Sequence, residues 1–339
     1  MARAAAARML LLVVIGAIGS GCGGTDATTT KELPRAPLAA IIKGLDNPFF
    51  ATMRDGLVAT AARYHAPLHV AAAADVNDAA GQAARVQPEA GQPAGCYIVA
   101  PTNQTNLIAP LARVPKGTPI VNLDLPIDRK QAAALGVRIT TFIATDNLQA
   151  GRAAADAMAR SVDHGARIAV IMGPSGDANS KARVDGFRAG AAGRFSVVAT
   201  AAADWDRLKG RHATADLLAA DPRLTGVFAA NDLMALGAAG AVDRAGRRGR
   251  VAVVGVDGIP AALTAVERGD IAATVAQAPY VMGQLGVEAC LASAAGRHVP
   301  ATIRAPLQVV TPANVKDIAQ RYPKLLGRFD DPVIGLLPK

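Results

Sequence analysis

Several polar side chains in this sequence stand directly after short apolar runs. Lys43 ends the run 38–43 and Asn47 comes shortly after it, Asp124 follows 119–123, Asn231 follows 226–230, Asp257 follows 250–256 and Gln277 follows 271–276. Lys181 lies shortly after the run 167–172, and Trp205 after 195–201. Carboxylates and amides at such positions can chelate adjacent hydroxyls, and flat rings can cover the apolar C–H faces of a sugar. The rings available are few: one Trp, four Tyr and seven Phe in 339 residues. Trp205 and the pair Phe49–Phe50 all fall after apolar runs. The set suits a polyhydroxylated ligand. The same residues also fit ordinary roles, with Asn47 and Asp232 capping helices and Phe49 filling the interior.

Other chemistries have little support. There is no phosphate-binding P-loop signature, no nucleophile elbow and no dinucleotide fingerprint with a downstream acid. Gly173-Pro174-Ser175-Gly176 could cradle an anion at a helix N-terminus, but Gly-rich turns after strands are common. His65 and His69 have i, i+4 spacing, yet Pro67 between them ends the helix, so no zinc pair and no metal site is expected. Cys96 and Cys290 are expected as buried free thiols, because three cysteines make no disulfide framework. No catalytic set and no cofactor is expected.

The residues that could hold a ligand need elements to position them. Apolar runs at 38–43, 67–72, 96–100, 119–123, 139–144, 167–172, 195–201, 226–230, 250–256 and 271–276 alternate with stretches of helical period, the pattern of an α/β doubly wound parallel sheet. Helices are expected at 48–64, with Asn47 as N-cap and Pro48 in the first turn, and at 148–162 after Asp146 and Asn147. Pro88 and Pro93 should leave a short or kinked helix within 78–95. Ten strands are too many for one half, and the alternation repeats on either side of about residue 145, so two similar lobes are expected. Ligands of such sheets sit at the carboxyl ends of the strands.

The N-terminus has a different character. Arg3 and Arg8 precede the apolar run Met9 to Ile18, then Gly19, Ser20, Gly21 and Cys22, which is the order of an export signal. The run is about half the ~20 residues of a membrane-spanning helix. The junction resembles the lipobox of bacterial lipoproteins, which implies acylation of Cys22 and an exported chain anchored to the membrane by lipid. Residues 22–37 read as a tether. The net charge of +9 comes from 36 Lys and Arg scattered along the chain. No aromatic is interleaved with the one short run, Arg244, Arg247, Arg248 and Arg250, so no nucleic-acid partner is expected.

Ile41 to Phe50, Asp124, Asp204-Trp205-Asp206-Arg207-Leu208-Lys209-Gly210, the phrase from Phe228 to Gly237, Val253 to Gly258 and Ala272 to Gln277 together resemble the ribose-binding branch of the periplasmic sugar-binding proteins. The resemblance implies the type I periplasmic binding fold: two Rossmann-like lobes joined by a three-strand hinge, with crossings near Thr145, Gln277 and Ala305. The implied divisions are 1–21 signal peptide, 22–37 tether, 38–145 plus 278–305 N-terminal lobe, 146–277 plus 306–319 C-terminal lobe, and 320–339 C-terminal extension. It also implies a non-enzymatic, monomeric solute-binding protein that closes over a sugar, polyol or sugar acid and delivers it to an ABC permease; a sensor presenting the same ligand to a receptor is the alternative. Asn47, Asp124, Asn231, Asp257 and Gln277 would hydrogen-bond the ligand, and Phe49, Phe50 and Trp205 would stack on it. This sequence departs from the ribose pattern at Lys43, at Ala100 in place of Asn, at Leu125 beside the aspartate in place of Arg, and at Lys181 in place of Arg. With Lys43 and Lys181 facing Asp124 and Asp257, two ammonium groups balance two carboxylates, which favours an uncharged ligand.

Overall fold

A computed structural model describes residues 36–86, 94–324, 327 and 329–337. The export signal, Cys22 and the tether to residue 35 lie outside the described residues, as do Pro88 and Pro93. The described residues all belong to the compact unit Glu32–Lys339.

Among the described residues, twelve strands form two six-stranded sheets. The first contains β1 (Leu38–Ile42), β2 (Leu68–Ala72), β3 (Cys96–Val99), β4 (Ile120–Leu123), β5 (Thr141–Thr145) and β11 (Thr302–Ala305), in the order β11-β5-β4-β3-β1-β2. The second contains β6 (Arg167–Met172), β7 (Ser196–Ala202), β8 (Gly226–Ala229), β9 (Ala252–Asp257), β10 (Ala273–Ala276) and β12 (Gln308–Val310), in the order β12-β10-β9-β8-β6-β7. All pairings are parallel except β10 with β12. Central strands such as β3 and β8 are buried along their whole length, whereas the edge strands β2 and β7 are largely half-exposed. Burial on both faces explains why the central strands read as continuous apolar runs.

Helices cover both sheets. The first carries α1 (Pro48–Arg63), α2 (Ala79–Ala84), α3 (Ile108–Leu111), α4 (Arg129–Ala134) and α10 (Pro279–Ala294); the second carries α5 (Asn147–Ala159), α6 (Ala178–Ala191), α7 (Arg207–Ala220), α8 (Asp232–Arg244), α9 (Pro260–Glu267) and α11 (Val315–Gln320). Asn47 and Asp146 cap α1 and α5 through their side chains. The helix expected within 78–95 is the six-residue α2. The backbone passes from one sheet to the other after β5, after β10 and between β11 and β12.

Two features were not anticipated from the sequence. Cys96 at the start of β3 and Cys290 in α10 form a disulfide across a separation of 194 residues, not a pair of free thiols. The chain after α11 does not stay with the second sheet, whose core includes Val315 and Ile318. Instead the Tyr322 hydroxyl bonds Thr52 of α1, the Lys324 ammonium lies 5.1 Å from the Tyr280 ring, and Val333 is buried in the core of the first lobe with Phe329, Leu336 and Leu337 against it. This strap is a fourth connection between the lobes.

The strap packs beside Glu288 of α10, a fully buried carboxyl. One Gln284 amide donates to Glu288 Oε1 at 3.3 Å and to Asp331 Oδ2 at 3.2 Å. Burial, together with Asp331, pushes the Glu288 carboxyl up to about 8, so it is a neutral acid at pH 7.

Candidate functional site

The carboxyl ends of both sheets face one another, and a cavity lies between them. It is lined by Lys43, Asn47, Phe49, Phe50 and Asp124 of the first lobe and by Trp205, Asn231, Asp257 and Gln277 near the hinge and in the second. Nine of the ten side chains singled out in the sequence therefore meet in one place. The space between the walls is narrow, about 40 Å³.

Lys181 is the exception. Its ammonium is exposed and pairs with Asp185 one helical turn on. Arg183 and Asn179 line the cavity instead. Asp177 caps α6 by accepting from Ser180 N, which fixes the phase of the helix. Residues 179 and 183 are four apart and share a face; position 181, two residues from each, faces away. The sequence signal was present in Val184, Phe187 and Ala191, whose periodic burial places 183 inward. Glycines 151 and 186 allow α5 and α6 to approach until a Cβ at either would strike the other's backbone. That contact brings Asn147, the first residue of α5, against Asn179 and Arg183.

Both cations in the cavity wall have a carboxylate partner. Lys43 Nζ lies 3.4 Å from Asp124 Oδ2 and 5.2 Å from the Phe50 ring centroid. Arg183 Nη1 donates to Asp257 Oδ1 at 3.2 Å and to Ala230 O at 2.7 Å, its Nε donates to Asn147 Oδ1 at 2.7 Å, and its guanidinium lies 5.6 Å from the Trp205 ring. Gln277 Nε2 donates to the same Asp257 oxygen at 2.6 Å. Burial pushes the Asp257 carboxyl above the ordinary carboxylate range, Asp232 and Asp124 push the same way, and Arg183 and the Gln277 amide oppose them. Asp232 is not in the wall; it accepts from Gly258 N, Ile259 N and Thr274 Oγ1 and so fixes the turn that carries Asp257.

The backbone is unusual where the site is made. Asp124, Trp205 and Asp257 have φ of 62°, 64° and 133°, values that side chains rarely adopt and that cluster at binding sites. Asn47 Oδ1 accepts from Phe49 N and Asn231 Oδ1 from Met234 N, so each cap is satisfied and leaves its NH₂ to donate elsewhere. Asn47 thus caps α1 and lines the cavity. Gln277 Oε1 is buried without a hydrogen-bond partner. A buried acceptor in that state is costly, and a ligand hydroxyl would satisfy it. Phe49 and Phe50 meet edge to face at 5.1 Å between centroids, so the first lobe offers a rigid aromatic wall. Among the described residues no cluster of side chains could hold a metal ion, and no helix is long and apolar enough to cross a membrane.

Comparison with known proteins agrees with this geometry. Residues 38–298 match the periplasmic binding protein domain. The chain is 33% identical to the D-allose-binding periplasmic protein of Escherichia coli over 277 residues, 80% of this chain and 89% of that protein. It is 34% identical to the ribose import binding protein RbsB of Haemophilus influenzae over 84% of this chain and 94% of that protein. An ABC transporter solute-binding protein of Actinobacillus succinogenes, solved with D-allose, superposes with a TM-score of 0.77 at 29% identity, covering 83% of this chain and 99% of that one. A solute-binding protein of Bacillus halodurans, solved with myo-inositol, gives 0.76 at 26% identity, covering 86% and 100%. With two doubly wound lobes and a cavity between their strand ends, the chain belongs to the periplasmic binding protein family.

Proposed function

We propose that this protein is the exported solute-binding component of an ABC importer and that its ligand is an uncharged monosaccharide of the allose or ribose kind. The observation that carries the reading is the charge pattern of the cavity. Lys43 is matched by Asp124 and Arg183 by Asp257, while Asp177 adds a further carboxylate. No cation in the wall is left to meet a carboxylate or phosphate, and unpaired buried charge is costly. What remains is the equipment for hydroxyls: the amides of Asn47 and Asn231, the orphan Gln277 Oε1, and aromatic faces from both lobes. The relatives named for D-allose and ribose support the same ligand class.

The lobes are expected to close on the ligand, because the lining residues come from both lobes and only together can they satisfy a sugar's hydroxyls. The lipid anchor at Cys22, the monomeric state and the permease partner belong to the same proposal. Retention of processing and membrane attachment in Cys22→Ala would reject the anchor.

A thermal-shift and calorimetric screen of the mature, unlipidated chain tests the ligand. D-Allose, D-ribose, myo-inositol and a sugar acid form the panel. A ligand at 100 times its dissociation constant should add about 2.7 kcal/mol of stability. Preference for the sugar acid over its neutral parent would overturn the reading.

A further inference from the structure

One side-chain amide reaches directly across between the lobes inside the cavity wall. Asn179 Nδ2, on α6 of the second lobe, donates to Asp124 Oδ1 at 3.2 Å and is 3.4 Å from Asp124 O, just beyond β4 of the first. Asn179 Oδ1 accepts from Asn147 Nδ2 at 3.0 Å, and Asn147 stands two residues past the hinge strand β5, with its amide 3.5 Å from Thr145 O. All three residues are buried.

The bonds form one continuous directional chain. Arg183 donates to Asn147, Asn147 to Asn179, and Asn179 to Asp124. Because Arg183 occupies Asn147 Oδ1, only the Asn147 NH₂ can face Asn179; that occupies Asn179 Oδ1, so only the Asn179 NH₂ can face the carboxylate. The orientation of Asn179 is thus set by residues of its own side and the hinge. Asp124 is the partner on the far side, and its positive φ leaves it dependent on neighbours for its position.

We propose that Asn179 is a positioning residue that latches the closed lobes. It holds Asp124 in place for the ligand, and it stabilises closure by a protein contact that needs no ligand. The closed form is then populated before sugar binds, and sugar is released more slowly than ring and hydroxyl contacts alone would allow.

The affinity arm of this inference rests on the sugar-binding reading; the closure arm does not. Two labels, one on each lobe, are followed by single-molecule energy transfer on the full mature chain without sugar. The wild type should show a resolved closed fraction. Loss of a hydrogen bond to a charged group should lower the closed-to-open ratio about tenfold in Asn179→Leu. Asn179→Asp, which sets a second carboxylate against Asp124, should lower it further. In a parallel stopped-flow experiment with D-allose, the dissociation rate should rise in Asn179→Leu while the association rate changes little. A role in folding alone would lower thermal stability and leave the closed fraction unchanged, and Asn179→Ser, smaller and polar, tests it should the Leu variant fail to fold. A wild type that is open alone without sugar, or variants with its closed fraction, would overturn the latch. Failure of D-allose to bind, with the closed fraction behaving as described, would instead reject the ligand assignment.

Discussion

Gly173 stands against the face of Trp205, and a methyl group at position 173 would overlap the six-membered ring of the indole. The residue after β6 is therefore small because the only Trp of the chain occupies the space a side chain would need. Trp205→Ala should weaken sugar binding by about 1–3 kcal/mol. Gly173→Ala, which leaves the indole intact but displaces it, should weaken binding in the same direction by less. Calorimetric titration checks both, and unchanged affinity in Trp205→Ala with the fold intact would place the ring outside the site.

Arg183 and Lys181 provide an internal control. Arg183→Lys keeps the charge but cannot serve Asn147, Ala230 O and Asp257 together, so it should cost on the order of 2–4 kcal/mol of binding. Lys181→Met removes only an exposed ion pair and should change affinity less than twofold. Equal effects of the two substitutions would mean that Arg183 does not hold Asp257.

The buried acid Glu288 sets a pH dependence of stability. Its folded-state value of about 8 lies above the ordinary 4.5, so between those pH values the native chain holds a proton that the unfolded chain has released. Its contribution is fully present below about pH 4.5 and is lost as pH rises through about 8. Glu288→Gln, a permanently neutral substitute, should remove that slope. The melting temperature of the variant should exceed the parent's by roughly 5 °C at pH 9 and match it near pH 4.5. Parallel melting curves across that range would contradict the assignment.

Opening the Cys96–Cys290 disulfide should destabilise the chain by about 2–5 kcal/mol, since the bond closes a loop of nearly two hundred residues. Urea unfolding of a Cys96→Ala, Cys290→Ala double variant measures it. Sugar affinity should stay within twofold, because Cys96 begins β3 while the cavity lies at the other end of the strands.

The ten strands expected from apolar runs all occur, displaced at most by a few residues. The strands β11 and β12 escaped notice because Thr302–Ala305 and Gln308–Val310 are short and carry Thr, Arg and Gln on half-exposed edges. The cavity residues were legible where each follows directly on a strand, since a parallel sheet presents those positions to one side. Arg183 was legible only through the helical period of Val184, Phe187 and Ala191, because it lies a full turn into a helix whose phase depends on the cap at Asp177. Asn147 and Asn179 gave no separate signal: an amide that bonds another amide looks like any surface polar residue until the two helices are packed. The disulfide likewise depends on α10 returning to the first sheet, a tertiary fact beyond any local spacing.

The strap after α11 has a consequence for reporting on closure in solution. Because Val333 is seated in the same core as β1, a fluorophore attached near the C-terminal end of the described chain rides with the lobe that begins it. A donor before Leu38 and an acceptor near Leu337 would therefore keep nearly constant separation however widely the cleft moves. A sensor labelled at those two positions would be blind to ligand, whereas an acceptor placed on the exposed face of α7 would see the whole swing.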